Sequence, residues 1–410
     1  MYRLICSLVL ILLFCSTIVF AHDSTSTVSL TLIKNLRSNH IYSPKSAIFY
    51  PDGSKFYINS LEGKETLVYD TNSLKLIKVI PHSFTSDDSE LFVNNENTVF
   101  DYEYNNCFGT GNKNIFKGKP VECLFTHQGR YLWVSYYRRE CDPNASSPSA
   151  VAIIDTNTDT IVRVMPTAPL PKMLAASPDG KWVAVTNWGD NTIGLINIEG
   201  DDPRAFSYTR QIVVGHKLPV RNLSGNRDSA CGLCLRGTVF TKDSQHLFVL
   251  GMRSDRLFVY TSAGDFVGSV RLPVPNPRHC VLSPDGKNLY VSFNVPGKVA
   301  KIAVAAILDM APTKGKVSGS LLHVGAGART IALSNDGARL YAVSNSASHL
   351  SCVDIARWKV VAQIPVAPYG VGLALHPLET IALVTSQGKN GQGGNTVGVF
   401  RIEGVHTKPE

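Results

Sequence analysis

The sequence predicts an all-β fold: a seven-bladed β-propeller of four-stranded antiparallel blades, closed into a ring by an N-terminal strand. Three observations predict it. A turn phrase recurs seven times, each turn sits among short apolar strands, and one strand near the N-terminus has no unit of its own.

The turns are Tyr50-Pro51-Asp52-Gly53, Thr126-His127-Gln128-Gly129, Ser177-Pro178-Asp179-Gly180 and Thr241-Lys242-Asp243-Ser244. They continue as Ser283-Pro284-Asp285-Gly286, Ser334-Asn335-Asp336-Gly337 and a degenerate His376-Pro377-Leu378-Glu379. Proline presets the turn backbone and glycine accepts positive φ, so each phrase joins two antiparallel strands. The strands that follow are rich in β-branched and aromatic residues, as in Tyr131 to Tyr136, Trp182 to Asn187 and Asn288 to Phe293. Third strands follow, such as Ala150 to Asp155 and Lys298 to Val304, and then fourth strands such as Leu76 to Ile80 and Lys359 to Ile364. Four short strands per repeat of roughly 45 residues is the pattern of a propeller blade.

The seventh unit ends near Glu403, with too little chain left for a fourth strand, whereas Val28 to Ile33 is an apolar strand before the first unit. Placing that strand in the last blade closes the ring and removes the exposed sheet edges. The spacing of the turns is uneven: 76 positions separate Gly53 from Gly129, against 42 between Ser244 and Gly286. Insertions at about 83–119 and 201–235 account for the excess, and insertions on a rigid repeat scaffold form loops that carry specificity. The expected organisation is residues 1–21 as a signal peptide, 22–44 as a segment with the closing strand, 45–404 as the propeller and 405–410 as a tail.

Arg3, the apolar run from Leu4 to Phe14, and Val19-Phe20-Ala21 have the form of an export signal with cleavage before His22. The rival is an uncleaved anchor; no other stretch is apolar and long enough to span a bilayer. The chain is therefore expected in a periplasmic, cell-surface or secreted location. Its net charge of +8 is small and dispersed over 410 residues, and no arginine-rich tract is present, which argues against nucleic acid. Seven cysteines lie beyond the signal, an odd count that leaves at least one unpaired within the chain. Cys231-Gly232-Leu233-Cys234 lacks the histidine of a covalent haem site and a second cysteine pair for zinc. It is read as a loop pair that staples an insertion, either internally or to Cys141 or Cys107. Cys123 and Cys280 share a register in the innermost strands and read as packing residues. Asn144-Ala145-Ser146 and Asn222-Leu223-Ser224 fit the glycosylation acceptor pattern.

Ser283-Pro284-Asp285-Gly286-Lys287-Asn288-Leu289-Tyr290-Val291-Ser292-Phe293, Ser177-Pro178-Asp179-Gly180-Lys181 with Ala184-Val185-Thr186-Asn187, and Ile153-Ile154-Asp155-Thr156-Asn157-Thr158 carry a family resemblance. The chain resembles the YVTN-repeat seven-bladed propellers, relatives of the lactonase-like propellers. The resemblance implies the fold over most of the chain. It implies little about function, because binding modules, surface-layer components, lactonases and haem-carrying domains share the architecture.

Aligning the units on the turn exposes the candidate site. Eight residues before the last turn residue stand Lys45, Val121, Lys172, Arg236, Arg278, Arg329 and Val371, five of them cationic. At the entry to the innermost strand they should converge on one mouth of the central channel. Like charges held together repel unless countered, so the ring either takes an anion or is paired to blade-linking carboxylates. Trp188 and the pair Tyr136-Tyr137, from the turns after second strands, are placed to stack on a ring-shaped ligand, unless Trp188 packs against an adjacent blade. His279, in the register of Glu122, either serves a lactonase as general base or is a satisfied histidine. No catalytic elbow, P-loop or dinucleotide fingerprint is present, and no cofactor is assigned. The expected function is a binding module for an anionic small molecule or a protein. A lactonase-type hydrolase and a non-covalent haem- or quinone-associated domain are the alternatives.

Overall fold

The computed structural model describes residues 28–93, 102, 107–109, 111–220, 225–388 and 394–404. The export signal, the second glycosylation pattern and the C-terminal tail lie outside the described residues. Seven antiparallel sheets form the molecule, and in each the strands follow one another in sequence order except where the ring closes. The innermost strands are Pro44–Phe49, Phe116–Thr126, Pro171–Ala176, Leu235–Phe240, Pro277–Leu282, Ala328–Leu333 and Gly370–Leu375. The seventh blade is completed from the N-terminus: Ser29–Leu36 pairs antiparallel with Thr396–Glu403.

The turn phrase acts through its aspartate and its last residue. A Ser or Thr hydroxyl donates to the Asp carboxylate at 2.5 Å in Ser177–Asp179, 2.6 Å in Thr241–Asp243 and 2.6 Å in Ser334–Asp336. The same carboxylate accepts the backbone N–H two residues on, as from Gln245 and Ala338. The closing residue has positive φ in all seven turns, from Gly53 at 78° to Ser244 at 58° and Glu379 at 55°. Glycine takes this conformation freely, so the two exceptions are held there by their surroundings. Glu379 accepts from Arg339 Nε at 2.6 Å and from the Tyr341 hydroxyl at 2.6 Å, both on the preceding blade. Lys55 and Tyr57 hold Asp159 of the following blade in the same way, at 2.9 and 2.5 Å.

The apolar core lies between blades. Seven large buried clusters each combine side chains from two adjacent blades, for example Phe248, Leu250 and Val259 with Leu289, Val291 and Ala300. Leu36, Leu383 and Val399 meet Phe56, Ile58 and Leu67 where the last blade meets the first.

The insertions depart most from the repeat. Residues Ser83–Phe84 add a short fifth strand beside Phe116–Thr126, and Cys107 is disulfide-bonded to Cys141. In the fifth blade a helix, Val304–Met310, precedes the fourth strand Ser320–His323, which the repeat pattern did not anticipate. Cys231 is bonded to Cys234, while Cys123, Cys280 and Cys352 are free thiols. Burial pushes each of these three thiols up to about 12, which keeps them protonated and unreactive.

In the closing strand only Leu36 is fully buried, whereas Ile33 is 41% exposed. Leu36→Ala is therefore expected to destabilise the protein by about 2–5 kcal/mol, and Ile33→Ala by no more than about 0.5 kcal/mol. Urea unfolding of the two variants checks this; equal effects would mean that the strand's backbone pairing, and not its one anchored side chain, holds the ring.

Candidate functional site

Each innermost strand leaves its neighbour's register near its start, and Phe116–Thr126 does so a second time, between Gly118 and Pro120. The irregularity spans Pro44 to Ser46, Pro120 to Cys123, Pro171 to Met173, Leu235 to Thr238, Pro277 to His279, Ala328 to Ile331 and Gly370 to Gly372. Lys45, Lys172, Arg236, Arg278 and Arg329 all occupy this bulge. A bulge leaves a residue out of the ladder, bends the strand and re-aims its side chain. Seven bulges at one level around an axis account for the convergence of these cations at one end of the channel.

The structure brings the five together with few counter-charges. Lys172 is ion-paired to Asp228, and its Nζ stands 4.0 Å from the Trp188 ring and 5.0 Å from the Tyr137 ring. Trp188 Nε1 donates to the Asp228 backbone oxygen at 3.0 Å, tying the second insertion to this corner. Arg236 lies 3.8 Å from the Glu122 carboxylate and 5.8 Å from the Trp188 ring. Lys45 donates to the Gln387 side chain at 3.0 Å. Arg278 reaches the Met252 sulfur at 3.6 Å, and its buried Nε has no hydrogen-bond partner. Arg329 lies 6.0 Å from the Tyr369 ring. Among the described residues, five cations thus face two carboxylates, and Lys45, Arg278 and Arg329 have none of their own.

Proton affinities register this crowding. Burial, together with Arg329, Arg236 and Lys172, holds Lys45 well below the usual lysine range. Burial lowers Lys172 to about 7, Asp228 raising it and Arg236 lowering it further. Burial and Arg236 bring Arg329 down to about 10, and burial with Arg329 and Arg236 acts on Arg278 in the same direction. Guanidinium groups nevertheless keep their protons at neutral pH, so their repulsion persists in the folded protein. On Glu122, burial raises the carboxyl against the pull of Arg236, Lys45, Arg329 and Arg278.

A cavity of about 560 Å³ begins one residue inside the ring, where Glu122, His279 and Thr330 line it, and extends to Pro51, Asn335 and His376 among the turns. Cys123 and Cys280 line it too. His279 accepts from the Ile331 N–H at 3.4 Å through Nδ1, and burial lowers it to about 4, so it is neutral. No hydrogen bond joins it to Glu122 among the described residues.

Tyr136, expected at the mouth, stands elsewhere: it is fully buried between the first two blades, bonded to His82 Nδ1 at 2.9 Å. Strand alternation turns its neighbour Tyr137 to the site instead. Trp188 is at the mouth, stacked under Lys172 and also buried against Leu170 and the Cys231–Cys234 disulfide. The packing considered for it is what the structure shows, and one face of its ring is taken by Lys172. Sequence reasoning named the Tyr136–Tyr137 pair without separating its members, and it missed Asp228, Met252, Tyr369 and Gln387, which lie on loops or strand ends whose approach to the axis has no repeat signature.

No family model matches the sequence, and no curated protein matches it. Solved structures are similar in fold. Hydrazine synthase of Kuenenia stuttgartiensis is 15% identical, with a TM-score of 0.60, over 89% of this chain and 97% of that one. The β-propeller domain of Cps50 (Swd1) from Myceliophteria thermophila is 12% identical, with a TM-score of 0.61, over 91% and 100%. A chain of a mitotic checkpoint complex is 11% identical, with a TM-score of 0.60, over 98% and 99%. At these identities the likeness establishes the seven-bladed architecture and nothing about ligands.

The depressed Lys172 has a consequence for stability. Its pKa is about 7 when folded and near 10.5 when unfolded, so between these values the unfolded chain holds a proton that the folded chain lacks. Stability therefore rises with pH across that window. Lys172→Gln is expected to flatten the rise, read as unfolding free energy against pH in urea. An unchanged slope would place the Lys172 titration in the ordinary range.

Proposed function

We propose that the chain is a binding module of the YVTN-repeat propeller type, acting after export, that holds an anion at the cationic mouth of its channel. The observation that carries this reading is the imbalance in the ring: Lys45, Arg278 and Arg329 are gathered by the fold without carboxylates of their own. Holding like charges together in a partly desolvated place costs free energy, and a bound anion would offset that cost. The aromatic rings of Trp188, Tyr137 and Tyr369 border the same mouth and suit a ligand with some apolar surface. Two disulfides agree with an oxidising compartment. No helix among the described residues is long and apolar enough to cross a membrane.

The hydrolase reading has less support. A general base needs a partner that orients it and raises its basicity, and His279 is neutral, unbonded to Glu122 and beside two arginines.

Titrating the protein with anionic metabolites and acidic peptides while following its thermal unfolding tests the proposal. A ligand at a hundred times its Kd is expected to stabilise the fold by about 2.7 kcal/mol. Arg278→Ala and Arg329→Ala should each abolish most of that shift; stabilisation that survives both substitutions would move the site elsewhere.

Because Lys172 loses its proton at about 7 in the free protein, anion binding should take up protons and weaken as pH rises from 6 to 8. Calorimetry in buffers of different ionisation enthalpy reads that uptake directly. Affinity independent of pH would remove Lys172 from the site.

A further inference from the structure

Among the described residues, Asp228 is the one carboxylate at the mouth that comes from a loop rather than from an innermost strand. Its side chain is 42% exposed, whereas that of its partner Lys172 is 9% exposed. The two halves of the pair are thus unequal: the lysine is fixed inside the ring, and the carboxylate reaches it from the rim. The Asp228 backbone is anchored independently of that carboxylate. Its N–H donates to Asn226 at 2.8 Å, its carbonyl accepts from Trp188, and the loop beyond it is closed by the Cys231–Cys234 disulfide. Rotation about the side chain alone would therefore release Lys172 without moving the loop.

The carboxylate also occupies a complete cradle. It pairs with the Lys172 ammonium, which the Trp188 ring underlies and the Tyr137 ring flanks at 5.0 Å. Lys45 and Arg236 act on it from further round the ring. Glu122, the other carboxylate present, sits opposite Arg236 within the field of Lys45, Arg329 and Arg278. The group that Lys172 already holds from the rim is a carboxylate, and the arginines offer planar forks that match a carboxylate's two oxygens.

We propose that the mouth binds a small di- or tricarboxylate, and that Asp228 is a built-in stand-in whose side chain one ligand carboxylate displaces from Lys172. This rests on the anion-binding reading and specifies its ligand. The remaining carboxylates of the ligand reach the side of the ring held by Arg278, Arg329 and Lys45. At least two carboxylates are required, because one takes the place of Asp228 at Lys172 and among the described residues Lys45, Arg278 and Arg329 have no carboxylate of their own. An internal stand-in of this kind keeps the buried Lys172 paired while the site is empty. It also sets a threshold, because a monocarboxylate only replaces one carboxylate with another at Lys172 and gains nothing beyond.

The test is calorimetric titration of the purified protein with tricarballylate, succinate, acetate, phosphate and sulfate at one fixed ionic strength, which is needed because screening alone alters weak anion binding. The parent protein is compared with Asp228→Asn, and a thermal melt of each without ligand confirms folding. The expected ranking is tricarballylate tighter than succinate, and succinate tighter than acetate. Removing the internal competitor should tighten tricarballylate by about tenfold, a change of one decade in Kd. Phosphate or sulfate binding as tightly as tricarballylate would overturn the carboxylate assignment and leave anion binding intact. An Asp228→Asn affinity equal to or weaker than the parent's would overturn the stand-in role. Absence of binding by every anion would overturn this proposal together with the reading beneath it.

Discussion

A twisted four-stranded sheet presents two apolar faces, and neither can be covered from within the blade. In this protein each face is covered by the next blade round the ring, so every large buried cluster belongs to two repeats at once. The seam between the seventh and first blades is then equivalent to the other six, and leaving it open would expose a core face and a sheet edge together. The inter-blade clasps of Lys55 and Tyr57 on Asp159, and of Arg339 and Tyr341 on Glu379, add directional contacts to this non-directional burial. They fix the angle between neighbouring blades. That angle decides whether seven bulges arrive at one level around the axis.

The site follows from that rigidity. Five cations cannot choose their own separation, because each is set by a bulge in a strand buried between two blades. Side chains on mobile loops would splay apart and be solvated individually. Here burial and mutual repulsion lower Lys45 and Lys172 together, which is the signature of charges confined by the scaffold. Stability of the ring and electrostatic strain at its mouth are two results of the same packing, and function at such a site is paid for by the core beneath it.

Most of the architecture was legible in the sequence because its signals are local. The Ser-x-Asp-Gly phrase encodes its own hydrogen bonds within five residues, and Ser177, Asp179 and Gly180 make them as the pattern requires. The closing strand was legible by counting, since a strand without a blade and a blade without a strand were both evident. The cationic register was visible once the repeats were aligned, although the bulge that turns it inward was not: no residue type marks it in all seven blades. Tyr136 shows the limit. Strand alternation sends Tyr136 and Tyr137 to opposite sides, and the sequence does not say which one faces the axis. Asp228 was beyond reach for another reason. It lies on an insertion outside the repeat, and its approach to Lys172 depends on a tertiary contact with Trp188.

The pairing of Ser29–Leu36 with Thr396–Glu403 joins the two ends of a very long chain. A ribosome makes the first of these strands hundreds of residues before the second exists. Six blades can pair their own strands as they emerge, whereas the seventh is complete only once Thr396–Glu403 meets Ser29–Leu36. Until then one blade lacks its outer strand, the circle has a free edge at each end, and the arginines and lysines of the mouth are not yet gathered. The cationic mouth is therefore the last feature of the ring to assemble, so a molecule without Thr396–Glu403 would carry well-formed blades and cations that are not gathered. A gathered mouth would accordingly report that the ring, from Ser29–Leu36 to Thr396–Glu403, is present and joined.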